Sequence, residues 1–229
     1  MNPLRIEPLG DAALYAEFSR TLDLRTNEAL QAVAAALREK APPWLRDVVP
    51  SLGGLALHFD PEHAELPEAP LRAATDLLLD CLKATARART AGREVEVPVC
   101  YNAEFGLDLD AVAAQTGLDA AQVVRLHAAT EHRVLMVGFA PGQPYIGGLD
   151  PRLAVPRRAT PRTRVPAGSI AIANAQSVVY PFEIAGGWSV LGRTPLRVFD
   201  PRREPPSLLL PGDRVRFAPI SRQRFEALR

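Results

Sequence analysis

The chain has 229 residues, enough for one large domain or two modest ones, and its 47% hydrophobic and 23% charged residues suit a globular protein with a real core. The formal net charge of +1 excludes a uniform field that would draw the whole chain to nucleic acid or an anionic membrane. Only Lys40 and Lys83 are lysine, so arginine is the default cation of this chain and a single arginine says little about function.

In chain order, residues 4–18 place two short apolar stretches around the turn pair Gly10-Asp11, which predicts strand, turn, strand. Leu24, Leu30, Val33, Ala34 and Leu37 then share a helical face, and Pro42-Pro43 stops that helix. Strands are predicted at Asp47–Val49 and Leu55–Phe59, and a second helix over residues 69–88, with Leu71, Ala74, Leu78 and Leu82 in register. The order ββαββα suits a small sheet with both helices on one face. Thr90-Ala91-Gly92 marks a boundary between a small α/β unit, residues 1–90, and a strand-rich unit, residues 91–229. In the second unit Arg93–Cys100 alternates as a strand, and short helices are predicted at Leu109–Gln115 and Ala120–Ala128 on either side of Gly117. Short β-prone runs follow at Val134–Val137, Ile170–Ala173, Val178–Tyr180, Trp188–Leu191 and Val215–Phe217, among many glycines and prolines. That texture predicts a closed or sandwiched β architecture, so the fold class is α+β.

Several chemistries lack their motifs. The helix pair around Gly117 has helix-turn-helix spacing, but its second helix offers only Arg125 and His127 amid Asp108, Asp110 and Asp119, which argues against DNA binding. The histidines His58, His63, His127 and His132 form no HExxH or carboxylate-backed cluster, and His127 reads as structural. Cys81 and Cys100 lie far apart with no CxxC, as expected for two reduced buried thiols. No GxSxG elbow and no GKS or GKT loop occurs, so the chain carries no self-contained hydrolase or ATPase machinery. The chain shows no charged-then-apolar leader and no apolar run of transmembrane length, and a cytoplasmic location is expected.

What remains is a dense segment from Val134 to Pro195, with Gly138–Leu149, Ala159–Ala173, Ala175–Pro181 and Gly186–Pro195 as its strings. Paired glycines such as Gly186-Gly187 let backbone approach a ligand or another chain, and prolines hold loops in fixed shapes. Rigid loops of this kind present amides and guanidinium groups to an anion, here Arg162, Arg164 and Arg193 with Gln176 and Tyr180 as hydrogen-bonding partners. They serve equally well as the corners of a small barrel, and the residues alone leave both readings open.

These strings resemble the 5-oxoprolinase B-subunit family, also described as allophanate hydrolase subunit 1 and as an inhibitor of a sporulation histidine kinase. The resemblance begins at Leu9–Leu14, continues through Val97–Leu109, is strongest from Val134 to Pro195 and ends at Leu209–Phe217. It implies a small α/β N-terminal domain followed by a cyclophilin-like β-barrel. It also implies ATP-dependent opening of 5-oxoproline to glutamate, performed jointly with an A and a C subunit, with ATP (and magnesium) bound in the complex and no metal or biotin site in this chain. As an enzyme subunit the chain would use Arg162, Arg164 and Gln176 as catalytic residues, and Tyr180, Gly186, Gly187 and Arg193 to bind substrate or phosphate, in a site completed by the C subunit. The family resemblance also admits a histidine-kinase inhibitor and a subunit of an allophanate- or urea-type system. Gln143, where an aromatic residue is usual, His132, at a common tyrosine position, and Asn174, Ser177 and Val178 depart from the family pattern and bear on substrate or partner choice.

Overall fold

The computed structural model describes residues 2–85 and 92–229. The expected boundary falls on Thr90 and Ala91, and the expected helical residues 86–88 fall beside them, outside the described residues. The chain separates into two compact units, one up to Ala91 and one from Gly92.

The first unit contains β1 (Arg5–Pro8), β2 (Ala13–Glu17), α1 (Leu24–Glu39), β3 (Leu45–Pro50), β4 (Gly54–Phe59) and α2 (Pro70–Thr85). The strands form an antiparallel sheet in the order β1-β2-β4-β3. Asp23 starts α1 by accepting the Arg25 and Thr26 amide protons, two of the donors a helix N-terminus leaves open. The helical-period residues Leu30, Val33 and Leu37 meet Leu14, Ala16, Leu55, Leu57 and Leu78 in one core. The ββαββα order expected from the periodicities is the order found.

The second unit contains β5 (Glu94–Val99), α3 (Leu109–Thr116), α4 (Ala120–Ala129), β6 (His132–Val137), β7 (Pro144–Gly147), a 3₁₀ turn at Pro151–Leu153, β8 (Arg162–Val165), β9 (Ser169–Ala173), β10 (Gln176–Val179), β11 (Ile184–Gly186), β12 (Ser189–Arg193), β13 (Arg214–Pro219) and α5 (Arg222–Ala227). Seven strands make one sheet in the order β12-β9-β10-β7-β6-β13-β5, with only β13 and β5 parallel. Its two end strands meet at one point. Cys100 N–H donates to Arg193 C=O at 2.8 Å and Arg193 N–H to Cys100 C=O at 3.0 Å, which nearly closes the sheet into a barrel. Closure removes the free edge that would otherwise invite another strand. Of the closed and sandwiched architectures that the many short strands admitted, the structure has the nearly closed one, the barrel that the family resemblance implied.

Strand β9 explains why the barrel positions a site. Ile170 and Ile172 point into the barrel core with Val134, Ile146, Val179 and Leu191. Ala171 and Ala173 point outward into a second apolar layer with Val165, Val178, Tyr180, Trp188 and Val190. A strand buried on both faces reads as an unbroken apolar run, as Ile170–Ala173 does. The outer layer is covered by a two-stranded ribbon of β8 and β11. Neither ribbon strand was expected from the sequence, because Arg162-Thr163-Arg164-Val165 lacks the apolar alternation of a sheet face and Ile184–Gly186 spans three residues.

A polar cluster lies inside the barrel. His127 is fully buried, stacks on Phe217 with centroids 4.5 Å apart, and bonds through Nδ1 to Tyr101 Oη at 2.8 Å and through Nε2 to Ser177 Oγ at 3.2 Å. The turn after α4 brings His132 back beneath it, with the two rings 5.2 Å apart and His132 Nε2 donating to His127 C=O. Burial, followed by the neighbouring His132, holds His127 well below the ordinary histidine value of 6.5. Burial lowers His132 as well, against its hydrogen bond to the His127 backbone carbonyl. A lowered folded pKa means that the native state binds fewer protons than the unfolded chain. The resulting stability is complete above 6.5 and is lost as pH falls below it. The melting temperature of the full chain is therefore expected to fall between about pH 7.5 and about pH 5, and the His127→Phe variant to lose less over that range. An equal loss in both proteins would place the acid sensitivity elsewhere.

Candidate functional site

The site is built on the outer layer of the barrel. A concave pocket of about 200 Å³ is lined there by Gln143, Tyr145, Arg157, Arg158, Tyr180 and Trp188, with Gly186 and Gly187 as a backbone wall. Tyr145 and Trp188 meet edge to face at 5.9 Å, and the Arg157 guanidinium lies over the Trp188 ring at 5.6 Å. Phe139 stands at the rim, 77% exposed and with a backbone φ of 70°, a region that aromatic residues seldom occupy.

Asp108 holds this wall in place. Its carboxylate accepts from Arg158 Nη1 at 2.5 Å, from Arg162 Nη1 and Nη2 at 2.7 and 2.8 Å, and from the Val190 amide at 2.8 Å. Its own amide donates to Val190 C=O at 2.9 Å, so Asp108 pairs with the outer edge of β12 as a strand residue would. One buried carboxylate therefore ties three segments together, and the paired geometry to Arg162 is the strong, directional form of this contact. The Asp108 hydrogen bond pushes the Arg162 guanidinium further up. Two guanidiniums, Arg158 and Arg162, share the single Asp108 carboxylate, and the adjacent Arg157 has no carboxylate partner among the described residues. The pocket wall is left with excess positive charge facing an aromatic cavity. Burial raises the Tyr180 phenol, partly offset by the Trp188 backbone N–H and by the charges of Arg157 and Arg162, so Tyr180 is present as a neutral phenol.

The structure brings some of the expected residues together and separates others. Tyr180, Gly186 and Gly187 line the pocket. Arg162 joins it from behind, opposite Gly186 in the β8–β11 pair and bound to Asp108. Arg164, on the same strand, reaches solvent and pairs with Glu183 at 3.2 Å. Gln176 sits beside the β9–β10 turn at Asn174, outside the pocket. Arg193 donates through Nε to Ala167 C=O at 2.7 Å and lines a different concavity of about 400 Å³, with Arg197, Phe199 and Phe225. Burial, with Arg229 nearby, lowers the Arg193 guanidinium. The sequence reading did not single out Arg157, Arg158, Asp108 as an anchor, Tyr145 or Trp188. The signal it had was the arginine pair preceding Ala159, in a chain where arginine is uninformative. Among the described residues no group of three His, Cys, Asp or Glu side chains is placed to hold a metal ion, and no helix is long and apolar enough to cross a membrane.

The sequence model of the carboxyltransferase domain, subdomain C and D, matches residues 4–209. The chain is 37% identical over 229 residues to the 5-oxoprolinase B subunit of Bacillus subtilis, covering 97% of this chain and 95% of that protein. It is 38% identical to the crystal structure of TTHA0988, with a TM-score of 0.78, covering 91% of this chain but only 40% of that one. The Kluyveromyces lactis urea amidolyase shares the fold at 18% identity and a TM-score of 0.74, covering 97% of this chain and 15% of that one. With a family match over residues 4–209 and a relative matched almost end to end, the chain belongs to the 5-oxoprolinase B-subunit family of carboxyltransferase subdomain C and D proteins.

Proposed function

We propose that this chain is the B subunit of an ATP-dependent 5-oxoprolinase, which opens 5-oxoproline to glutamate only in complex with an A and a C subunit. The observation that carries this reading is the pocket's construction. A charged, aromatic cavity with an uncompensated Arg157 suits a small organic anion, and an exposed, conformationally unfavourable Phe139 on its rim suits cover by another chain. ATP and magnesium do not fit this pocket: about 200 Å³ is below the roughly 300–1,000 Å³ of sites for drug-sized ligands, and a nucleotide triphosphate needs more. The part of this pocket is therefore to bind and orient the substrate rather than the nucleotide. In this reading Arg162 acts with Arg157 and Arg158 on the charged side of the pocket. Arg164, Gln176 and Arg193 would act only on a group delivered by another subunit, because the pocket does not include them.

The test is 5-oxoproline-dependent ATP hydrolysis by the three subunits together, with each omitted in turn. Activity that requires all three is the expected result. A stable complex with no such activity would sink the substrate assignment, and activity that persists without this chain would sink its role as a required subunit.

A further inference from the structure

The second concavity of the barrel unit, of about 400 Å³, lies where the sheet closes and shares no lining residue with the outer-layer pocket. Arg193 lines it, and the Arg193 backbone makes the closing bridge with Cys100. The guanidinium is fixed through Nε, which donates to Ala167 C=O at 2.7 Å. Its two terminal nitrogens have no acceptor, and the guanidinium has no carboxylate partner, among the described residues. Burial and the nearby Arg229 oppose its charge, and Glu226 favours it without forming an ion pair. Arg197, on the same concavity, is already paired with Asp200 at 3.3 Å. A half-buried cation without a counter-ion is costly, and a carboxylate bound across both terminal nitrogens relieves that cost.

The rest of the lining decides what the carboxylate is attached to. Phe199 and Phe225 are held firmly. A Cβ at Gly142 would come within 2.7 Å of the Phe199 ring, and Phe225 is 2% exposed and packs on Phe105 with centroids 4.5 Å apart. Pro181, Pro195 and Leu196 extend the apolar wall, and Phe182 stands 37% exposed beside it. The lining has no carboxylate or carboxamide side chain. Its one hydroxyl, on Thr194, already accepts from Leu196 N–H at 3.2 Å. A sugar, a nucleoside or a polar ring would leave its own hydrogen-bonding groups unpaired here, whereas an apolar body would not. The volume lies within the roughly 300–1,000 Å³ of small-molecule sites. We propose that this concavity is a second small-molecule site, which takes a free carboxylic acid with an aromatic or branched apolar body. The carboxylate binds the terminal nitrogens of Arg193, and the body lies among Phe182, Phe199 and Phe225. The proposal goes beyond the reading of the chain as part of a 5-oxoprolinase and does not depend on it.

The experiment is calorimetric titration of the full chain, alone and in complex with its partner subunits, with 3-phenylpropionate as the probe. Saturable binding is expected, with a dissociation constant of about 1 mM or tighter. The neutral 3-phenylpropionamide, with the same body, binds at least about tenfold more weakly. L-5-oxoproline, an acid with a polar body, does not displace the probe. Arg193→Gln weakens the probe by at least about tenfold. Phe182→Ser, at an exposed position, keeps the wild-type melting temperature and weakens it by about threefold or more. Arg157→Ala leaves its binding unchanged, which separates this site from the outer-layer pocket. The proposal is overturned if neither the chain nor the complex binds the probe, if the amide binds as well as the acid, or if L-5-oxoproline displaces it. It is equally overturned if Arg193→Gln or Phe182→Ser, correctly folded, binds as the wild type does, or if Arg157→Ala abolishes binding. Binding to the free chain that disappears in the complex would make the concavity a docking face for another subunit and would overturn the small-molecule assignment as well.

Discussion

Replacing Asp108 with Ala is expected to destabilise the barrel unit by about 2–4 kcal/mol. Removing one partner of a buried pair typically costs about 3–5 kcal/mol because it strands the other charge. The lower figure applies here because the Arg158 and Arg162 side chains keep 33% and 23% of their exposure and regain some water. The Val190 amide loses its acceptor as well, on the edge strand that closes the barrel. At about 2–4 °C per kcal/mol for a chain of this size, the melting temperature falls by roughly 5–15 °C. Trp188 fluorescence in a Trp44→Phe background reports on the barrel unit, since Trp44 lies in the other unit. Ligand affinity falls with stability, because Arg158 and Arg162 lose their common anchor. A melting temperature within about 2 °C of wild type would show that Asp108 does not hold the wall.

Gly186→Ala is expected to close the pocket by steric overlap. A Cβ at Gly186 would overlap the Tyr180 hydroxyl and lie 2.7 Å from Tyr180 Cζ. Tyr180 is 2% exposed and packed in the outer apolar layer, so the space into which it can give way is the pocket it lines. Overpacking of this kind destabilises by about 1–3 kcal/mol and displaces backbone, here the wall next to Gly187 and Trp188. Tyr180→Phe removes the clashing oxygen. The double variant is therefore expected to be more stable than the two single effects summed, a coupling of about 0.5 kcal/mol or more. Strict additivity in urea melts would mean that the methyl group finds space elsewhere and that the tight fit of Gly186 against Tyr180 does not shape the pocket.

The two substitutions probe different kinds of information. The β8–β11 ribbon illustrates why the sequence reading was partial. Arg162 and Arg164 looked equivalent in the string, two residues apart in an arginine-rich run. Pairing with β11 sends Arg162 toward Asp108 while Arg164 reaches solvent and Glu183. The exposed pair contributes little, and the buried one organises the site. His127 and His132 likewise looked unrelated across a helix end, yet the turn after α4 stacks them in the barrel interior.

By itself the sequence determined what depends on local period and turn chemistry. The amphipathic helices of the first unit, the alternating strand after the boundary, the β-prone Ile170–Ala173 run and the strand-rich second half all follow from side-chain spacing. The dense motifs from Val134 to Pro195 also carried the family. Tertiary structure alone decided the pocket. Asp108 meets Arg158 and Arg162 across 50 and 54 positions, and Gln143 joins Trp188 in one pocket through a barrel whose closure depends on Cys100 finding Arg193. Contacts at such separations leave no periodic trace in the chain. Which arginine is pinned and which is free are consequences of packing, because only the folded barrel sets the distance between one charge and the next.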